Sequence, residues 1–448
     1  MRLLGLALLP HLKPSQSFAS ALSMTHGQTS FSSSIPQDVA SVLQHLYAQP
    51  KPAKLCVSTT GAGGQAVAWL MGIPGASSSL LEATAPYCRA SGKQWTGLES
   101  DSAGACSVEA AQGLAETALK RGLELAFQEE GFSVLKEGVV GVGCTAAVAS
   151  TQPKKGSHRA HVAYSTSGGK SCVLSLTLTK GQRSREEEDW VVSRLIVRAI
   201  AEGAGVDLPE GYVVTGLAEG EEVPVGHQVD GEPALARIAD GAAKLVLVTP
   251  GCTPLVDHPI KAPALVFPGS FNPLHKGHEE LLNTALRVYK RDVLSGIAAQ
   301  VPALFEMSVV NADKGSLPLN VIETRAKQFT RFPVALTNAP LFAEKGALFP
   351  GCGFVMGSDT AARLIDKKYY GNSVTEMVSA LSKLQQQGCH IIVGGRALTG
   401  KFVSLEEILV GCPSLPESLK AMFIGLPEED FRVDLSSTEL RAQVSAAK

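Results

Sequence analysis

An apolar run that passes through a Gly/Asn/Pro turn into a helix is the feature that most constrains the fold of this chain. The run 264–267 is followed by the turn 268–274, and a helix-forming segment continues from Glu279. A buried strand leading directly into a helix is a building unit of α/β folds. His275 and His278 stand where this helix starts, among free backbone N–H groups at the positive end of the helix dipole. The segment therefore predicts a polyphosphate site at the junction.

A second junction near the C-terminus predicts another anion site. Ser436 and Glu439 have the spacing of a capping box, so a helix is expected to begin there. Ser437, Thr438 and Arg441 add hydroxyl groups and a guanidinium that can hold phosphate oxygens. The two junctions lie near the two ends of a stretch of about 190 residues, which is the length of one typical domain.

Both junctions match signatures of one superfamily. The segment GSFNPLHKGH at 269–278 resembles the HxGH motif of the nucleotidyltransferases, and in particular of the adenylyltransferases that act on nicotinamide or nicotinate mononucleotide. The segment SSTELR at 436–441 resembles the second phosphate signature of that superfamily, (I/S)SSTxxR. The resemblance implies a Rossmann-like parallel sheet in this half of the chain. It also implies a reaction in which the phosphate of a mononucleotide attacks the α-phosphorus of ATP.

The resemblance further implies roles for the residues of both signatures. His278 would bind the α-phosphate in the transition state, and His275 would lie beside the phosphate chain. Mg²⁺ is expected to arrive with ATP, because one or two carboxylates and the phosphates usually suffice to hold it; the sequence shows no dedicated metal cluster. The other expected ATP-binding residues are Gly269, Ser270, Phe271, Asn272, Gly277, Ser436, Ser437, Thr438 and Arg441.

Three further residues of this half are candidate substrate contacts. Asp359 follows the strand-like run 354–356, where open α/β sheets place ligands, and it could bond a ribose hydroxyl or belong to an ordinary helix cap. Tyr370 could stack on a pyridine ring or pack within a surface loop. Arg396, after another buried run, is a candidate phosphate contact.

The N-terminal half contains a similar junction. The strand-like run 54–57 leads into the glycine-rich loop 58–64 and a helix-like segment, which is either a phosphate-binding arrangement or a tight turn that needs glycine. With Tyr87, the helical 107–125 and the strand-like 139–143, this order of elements resembles the C-terminal domain of the CinA family. Members of that family include nicotinamide-nucleotide amidohydrolases.

The CinA resemblance maps a family serine onto Ser58, a tyrosine onto Tyr87 and an arginine onto Arg183. Several departures stand against it. The family lysine falls at or beside Gly92, with Lys93 one position later, and the acidic residue before the serine is Val57. The family loop G-I-A-G-P-G-G-G is replaced by residues 143–147. A serine hydrolase needs a base beside its hydroxyl, and the sequence does not guarantee one. A degenerate domain that only binds a nucleotide or supports dimerisation stays open as a second interpretation.

The charged run 184–189 in the same half is expected to be a capped helix start with a solvated first turn. Ser184 and Glu187 have capping-box spacing, and acidic side chains favour the first turn of a helix.

Composition excludes several classes of protein. Over 448 residues the formal net charge is −2, so neither a nucleic acid nor a membrane surface is an expected partner. Nine cysteines without a CxxC pair argue against a zinc ribbon or a disulfide framework and favour a reducing, intracellular compartment. No apolar run reaches transmembrane length. Asp38 is the first acidic residue, and the serine-rich segment before it is expected to be a disordered tail or a transit peptide, which leaves cytoplasm and organelle open.

The sequence therefore predicts a two-domain α/β protein. Residues 1–36 form the tail or transit peptide, 37–206 a CinA C-terminal-like domain, 207–260 a linker, and 261–448 a nucleotidyltransferase (cytidylyltransferase-like) domain. The CinA resemblance also implies a homo-oligomer.

The predicted function is ATP-dependent adenylylation of nicotinamide or nicotinate mononucleotide with release of pyrophosphate. Within the transferase class, the acceptor could instead be phosphopantetheine, or a choline-like phosphate with CTP. Outside that class, the N-terminal half could supply an amidohydrolase activity, or the chain could bind a nucleotide without turnover.

Overall fold

Two β-sheets, one in each half of the chain, organise the computed structural model of this protein. It describes residues 35–97, 106–131, 134, 138–152, 155–212, 215–222, 224–228, 233–250, 252, 254–260, 262–294, 301–311, 315–398 and 401–431. The expected tail or transit peptide up to residue 34, and the second phosphate signature with its predicted helix, lie outside these residues. Both sheets belong to one compact unit of the chain, Gln37–Lys448.

The N-terminal sheet has mixed strand directions. Its strands are β1 Lys54–Thr60, β2 Leu80–Thr84, β3 Val139–Ala147, β4 His158–Thr166, β5 Ser171–Leu178 and β6 Gly226–Gln228. Its helices are α1 Gln37–Tyr47, α2 Gly64–Gly72, α3 Arg89–Thr96, α4 Val108–Glu130 and α5 Arg185–Ala204, with a 3-10 turn at Ala76–Ser78. The strand order is β2-β1-β3-β4-β5-β6, in which the first three strands are parallel and the rest antiparallel.

The C-terminal half is built around a larger sheet. The strands of the C-terminal half are β7 Leu245–Val248, β8 Leu255–Val256, β9 Leu265–Pro268, β10 Ala303–Ser308, β11 Val310–Asn311, β12 Gly315–Ser316, β13 Val334–Thr337, β14 Gly353–Gly357, β15 His390–Gly394, β16 Arg396–Leu398, β17 Lys401–Val403 and β18 Phe423–Leu426. Its helices are α6 Ala234–Ala239, α7 Lys276–Val288, α8 Leu319–Ala326, α9 Phe342–Leu348, α10 Ser358–Leu364, α11 Val374–Gln386, α12 Leu405–Val410 and α13 Glu417–Lys420, with a π-helical turn at Tyr289–Val293 and a 3-10 turn at Lys367–Tyr370.

The order of the larger sheet is that of a doubly wound fold. It runs β18-β15-β14-β9-β10-β13-β7-β8, and the first six strands are parallel. The parallel part of the sheet starts in the middle at β9, continues with β10 and β13 on one side, and then with β14, β15 and β18 on the other. This confirms the prediction of a Rossmann-like parallel sheet. The strand order reverses between β9 and β14, which is where open α/β sheets bind their ligands.

The core lies on both faces of this sheet, and the two faces carry different helices. Leu265 and Phe267 of β9 belong to the cluster of buried residues that includes Leu282 of α7. Val266, which points to the other face, belongs to the cluster that includes Ala361 of α10. Helices α7 and α10 therefore start at the same edge of the sheet and run along opposite faces.

The segment expected to link the two halves contributes a strand to each sheet edge. β6 pairs with β5 in the N-terminal sheet, while β7 pairs with β13 and β8 in the C-terminal sheet. The apolar run at 244–248 thus contains the strand β7. Next to β8, the ring of His258 meets the ring of Phe127 from α4 edge-on at 4.9 Å between centroids.

One boundary differs from its prediction in a way that bears on function. The sequence suggests a strand at 54–57 and a loop from Ser58, but β1 continues to Thr60. Residues 58–60 remain in the sheet because they pair in register with 143–145 of β3. Ser58 is therefore a strand residue with 0% exposure, rather than a loop residue.

Among the described residues, no helix combines the length and apolar composition needed to cross a membrane.

The close approach of α4 to the N-terminal sheet depends on a glycine. A Cβ at Gly141 would lie 2.2 Å from the backbone nitrogen of Leu119 and 2.4 Å from the carbonyl oxygen of Ala115. Gly141→Ala must push α4 away from β3, and we expect it to lower the free energy of unfolding by about 1–3 kcal/mol or more. Urea unfolding of Gly141→Ala and Gly92→Ala checks this, because a Cβ at Gly92 would meet only Pro86 O, at 3.8 Å. Equal stability of the two variants would contradict the prediction.

Candidate active site

Phe271 anchors the loop that joins β9 to α7. The residue has a φ of 41° and is 2% exposed. Its ring lies edge-on to Phe267, Phe305 and Phe329, with centroids 5.7, 4.9 and 5.4 Å away. A Cβ at Gly269 would lie 2.7 Å from the Phe271 ring, so the packed ring leaves room only for glycine there. Phe271 was expected among the ATP-binding residues, but its ring is inside the core and holds the loop from within.

Gln328 ties the same loop to the end of α8. Its side-chain oxygen accepts the N–H of Leu274 at 3.0 Å, and its side-chain nitrogen donates to the carbonyl of Phe271 at 3.2 Å. Sequence reasoning missed Gln328, because these bonds join positions 54 and 57 residues apart with no local pattern to mark them. Ser270 and Asn272, on either side of Phe271, are exposed and can reach a ligand.

The two histidines meet at the start of α7, as their spacing predicts. His275 is the N-cap residue, and its ring stacks on that of His278 with centroids 3.6 Å apart. The backbone N–H of His275 donates to Nδ1 of His278 at 3.3 Å. A neutral His278 therefore carries its proton on Nε2, where it can donate to a phosphate oxygen. Gly277, which lies between them in the sequence, is buried.

Burial is the main reason why His278 stays neutral. It lowers the pKa of His278 from the ordinary 6.5 to about 3, and the neighbouring imidazole of His275 adds to the effect. The site therefore offers a neutral N–H donor beside the helix N-terminus at physiological pH. Such a donor can follow the charge that develops on a phosphate without bringing a full positive charge of its own.

The opposite side of the switch point is formed by β14 and α10. Gly357 ends the strand and is the N-cap of the helix, so Ser358 and Asp359 are its first residues. Asp359 is exposed, whereas Ser358 is 1% exposed. The N-cap is therefore neither Ser358 nor Asp359, and the carboxylate of Asp359 is accessible at the edge where β9 and α7 present the two histidines.

A buried polar cluster lies at the same edge of the sheet and was not predicted. Glu306 of β10 is 0% exposed, and one of its carboxylate oxygens bonds Lys345 Nζ at 2.6 Å and Thr337 Oγ1 at 2.5 Å. The carbonyl of Glu306 accepts the N–H of Gly269 at 2.9 Å, which joins β10 to the first residue of the histidine loop. Isolated charged residues in apolar surroundings carry no local pattern, so no sequence signal identified this cluster.

The other candidates of this half divide into three groups. Tyr370 donates its hydroxyl to the carbonyl of Leu364 at 2.8 Å and packs against the core, which favours the packing interpretation over ring stacking. Arg396 begins β16, but its side chain lies outside the described residues. The second phosphate signature is also outside them: Ser436, Ser437, Thr438 and Arg441.

Comparison with known families agrees with this geometry. The family model described as Cytidylyltransferase-like matches residues 266–443, a stretch that starts in β9 and spans the histidine loop. Residues 266–443 form a cytidylyltransferase-like domain. A search of curated proteins found no match.

Several solved structures similar to this chain are competence/damage-inducible proteins, the family that the N-terminal half resembles. The protein CihA from Agrobacterium tumefaciens is 18% identical, covers 38% of this chain and 98% of its own, and has a TM-score of 0.31. CinA superfamily proteins from Escherichia coli and Klebsiella pneumoniae are 12% and 11% identical and cover 37% and 38% of this chain and 87% and 96% of their own. Both of these structures have a TM-score of 0.29.

In the N-terminal half, two of the expected residues, Ser58 and Arg183, make contacts with different partners. Ser58 accepts a hydrogen bond from Thr84 Oγ1 at 3.1 Å, and among the described residues no base bonds its hydroxyl. Arg183 lies elsewhere, in a two-point pair with Glu221 at 2.8 and 2.6 Å. Burial acts to raise the pKa of Glu221, but the bonds from Arg183 and backbone N–H groups hold it at about 2.

The arginine that reaches Tyr87 is Arg185 and not the expected Arg183. Arg185 donates to the Tyr87 hydroxyl and to the carbonyl of Gly61, both at 3.0 Å. Arg183 stands just before the helix α5, whereas Arg185 is its first residue and points back over the glycine-rich loop.

The depressed pKa of His278 gives the cytidylyltransferase-like domain a testable pH dependence. The unfolded chain protonates His278 below about pH 6.5, whereas the folded chain does so only near pH 3. Between these two pH values the free energy of unfolding therefore rises with pH and is lost as the pH falls. The slope from this group is at most about 1.4 kcal/mol per pH unit. Urea unfolding at several pH values should show a shallower loss on acidification for His278→Gln than for the wild type. His45→Gln, which changes an exposed histidine of α1, should keep the wild-type slope; equal slopes in all three proteins would contradict the assignment.

Proposed function

We propose that the cytidylyltransferase-like domain transfers the adenylyl group of ATP to nicotinamide or nicotinate mononucleotide. A phosphate oxygen of the mononucleotide forms a bond to the α-phosphorus of ATP, the bond from that phosphorus to the β-phosphate oxygen breaks, and pyrophosphate leaves. No protein nucleophile is needed, so the task of the chain is to position two anions and to stabilise the charge that develops.

The observation that carries this proposal is the placement of His278. The residue lies at the N-terminus of α7, at the carboxyl end of β9 and beside the switch point of the sheet. Its Nδ1 is engaged by the N–H of His275, so Nε2–H is the group left to donate to the α-phosphate. Phe271 and Gln328 fix the loop, which gives the donor a defined position before the substrate arrives.

The remaining roles follow from the positions of the other candidates. Ser270 and Asn272 would contact the phosphate chain from the exposed turn, and Asp359 would bond a ribose hydroxyl from the facing helix α10. The second signature, with Arg441, would hold the β- and γ-phosphates and the departing pyrophosphate.

Magnesium would come with the ATP. In the parts of the chain that the structure describes, no three His, Cys, Asp or Glu side chains gather as a metal site. Phosphate oxygens, water and one or two carboxylates are a donor set that Mg²⁺ accepts. The ion would neutralise charge on the triphosphate.

Pyrophosphate release by the full chain tests the proposal. With ATP, Mg²⁺ and a pyridine mononucleotide, we expect release that depends on the mononucleotide, together with a dinucleotide product detected by mass spectrometry. His278→Ala should reduce kcat by about 10²–10³, as does the loss of one transition-state donor in other enzymes. His45→Ala removes an exposed imidazole from α1, in the N-terminal half, and should leave the rate unchanged.

The acceptor is tested in parallel reactions. Nicotinamide mononucleotide, nicotinate mononucleotide and phosphopantetheine are each supplied with ATP, and choline phosphate is supplied with CTP. Release with either pyridine mononucleotide supports the proposal, and the ratio of the two kcat/KM values reports which ring is preferred. Turnover only with phosphopantetheine or choline phosphate would refute the assignment of the acceptor while leaving the transferase chemistry in place.

A further inference from the structure

The helix α9 connects the two strands that flank β9 at the switch point. At its two ends, the rings of Phe342 and Phe349 meet the ring of Phe354 on β14 edge-on, with centroids 5.8 and 6.3 Å away. Between them, Lys345 Nζ donates to Oε1 of Glu306 on β10 at 2.6 Å. Because β9 lies between β14 and β10, α9 links the strands on its two sides to each other.

The carboxylate of Glu306 depends on α9 for its charged partner. In the part of the chain that the structure describes, Oε1 accepts from Lys345 and Thr337, whereas Oε2 is buried without a hydrogen-bond partner. Glu306 is 0% exposed and Lys345 is 5% exposed, so water solvates neither charge well. Without the cation, the carboxylate has to take up a proton or turn toward water, because an unpaired buried charge is strongly unfavourable. In both cases the bond that fixes Glu306 to α9 is lost.

The backbone of Glu306 in turn holds the histidine loop. Its carbonyl accepts the N–H of Gly269, the first residue of the loop, at 2.9 Å. The preceding residue, Phe305, points to the other face of the sheet and holds the same loop through the ring of Phe271, 4.9 Å away. The ring of Phe271 meets that of His278 at 5.1 Å. A continuous series of contacts therefore leads from α9 through β10 to His278.

We propose that Lys345 is a positioning residue for His278. By pairing with Glu306, it keeps in place the carbonyl that holds Gly269, and with it the loop that sets the orientation of the His278 ring. The Lys345 cation is engaged by Glu306 inside the protein, so it acts through the loop and not on a ligand. The kinetic consequence of this inference rests on the proposed function, whereas the orientation of His278 is measured without turnover.

The tautomer of His278 reports its orientation. Because the N–H of His275 engages Nδ1, the His278 proton of the wild type should be on Nε2. In Lys345→Met the loop loses its anchor on β10, and we expect both tautomers to be populated. Proton–nitrogen NMR spectra of the full chain, isotope-labelled at histidine and recorded at neutral pH, measure their ratio. The His278 signals are identified by their absence in His278→Gln.

A rescue variant and a matched control separate this role from a general loss of stability. Glu306→Gln combined with Lys345→Met removes both charges, so no unpaired carboxylate is left, and it should return His278 to the Nε2 tautomer. Arg194 is 3% exposed and pairs with Asp38 in the N-terminal half. Arg194→Met therefore breaks another buried pair away from the loop and should keep the wild-type spectrum.

Kinetics provide the second readout. With ATP, Mg²⁺ and a pyridine mononucleotide, Lys345→Met should lower kcat by about 10–10²-fold, because a small misplacement of a transition-state donor is costly. The KM for ATP should change by less than about twofold, since Lys345 is not a ligand contact. The rescue variant should recover most of the lost kcat.

Thr337→Val, which removes the other donor to Glu306, is the milder variant should Lys345→Met fold poorly, and it should show the same tautomer change to a smaller extent. Three results would overturn the proposal: an unchanged His278 spectrum in both variants, the same spectral change in Arg194→Met, or no recovery in the rescue variant. A changed His278 tautomer in a chain whose wild type shows no turnover would count against the proposed function and support the positioning role.

Discussion

The position of β9 in the middle of the parallel sheet determines where the candidate active site of this chain lies. The neighbouring strands β10 and β14 lead to helices on different faces of the sheet. The helix after β9 covers one face, and the helix after β14 covers the other. In an open α/β sheet, crossing connections do not cover the carboxyl ends of the strands between two such helix starts. The loop that carries His275 and His278 rises at this edge, and its polar backbone is kept in one conformation by a buried ring, Phe271, and a side-chain amide, Gln328.

In the described part of the chain, the strand–loop–helix junctions before α7 and before α2 have a similar local character, and they differ in what their helix N-termini face. At α7 the polar side chains are those of the junction itself, since His275 and His278 bond and stack on each other. At α2 the backbone donors face Asp189, which comes from more than a hundred residues away. The two loops therefore differ in that a distant carboxylate occupies the backbone donors at α2.

What the sequence predicts correctly is what local patterns encode. The strand before the histidine loop, the helix start at His275 and the capping box at Ser184 follow from apolar runs, turn residues and cap spacing over a few positions. The extension of β1 to Thr60 depends instead on pairing with β3, some 85 positions later in the chain. Gln328, the Glu306–Lys345 pair and the contact of Arg185 with Tyr87 likewise join distant positions, which is why a single sequence does not reveal them.

The chemistry at α7 is set by burial more than by the number of histidines. Two imidazoles stacked at 3.6 Å would repel each other if both were charged, and burial already favours the neutral form of His278. The pair thus supplies oriented donors and little net charge. In the proposed adenylyl transfer, neutralisation of the triphosphate would fall to the metal ion that accompanies it and to cationic side chains beyond this junction. The histidines would then be suited to the α-phosphorus, where a donor must follow a change in charge distribution.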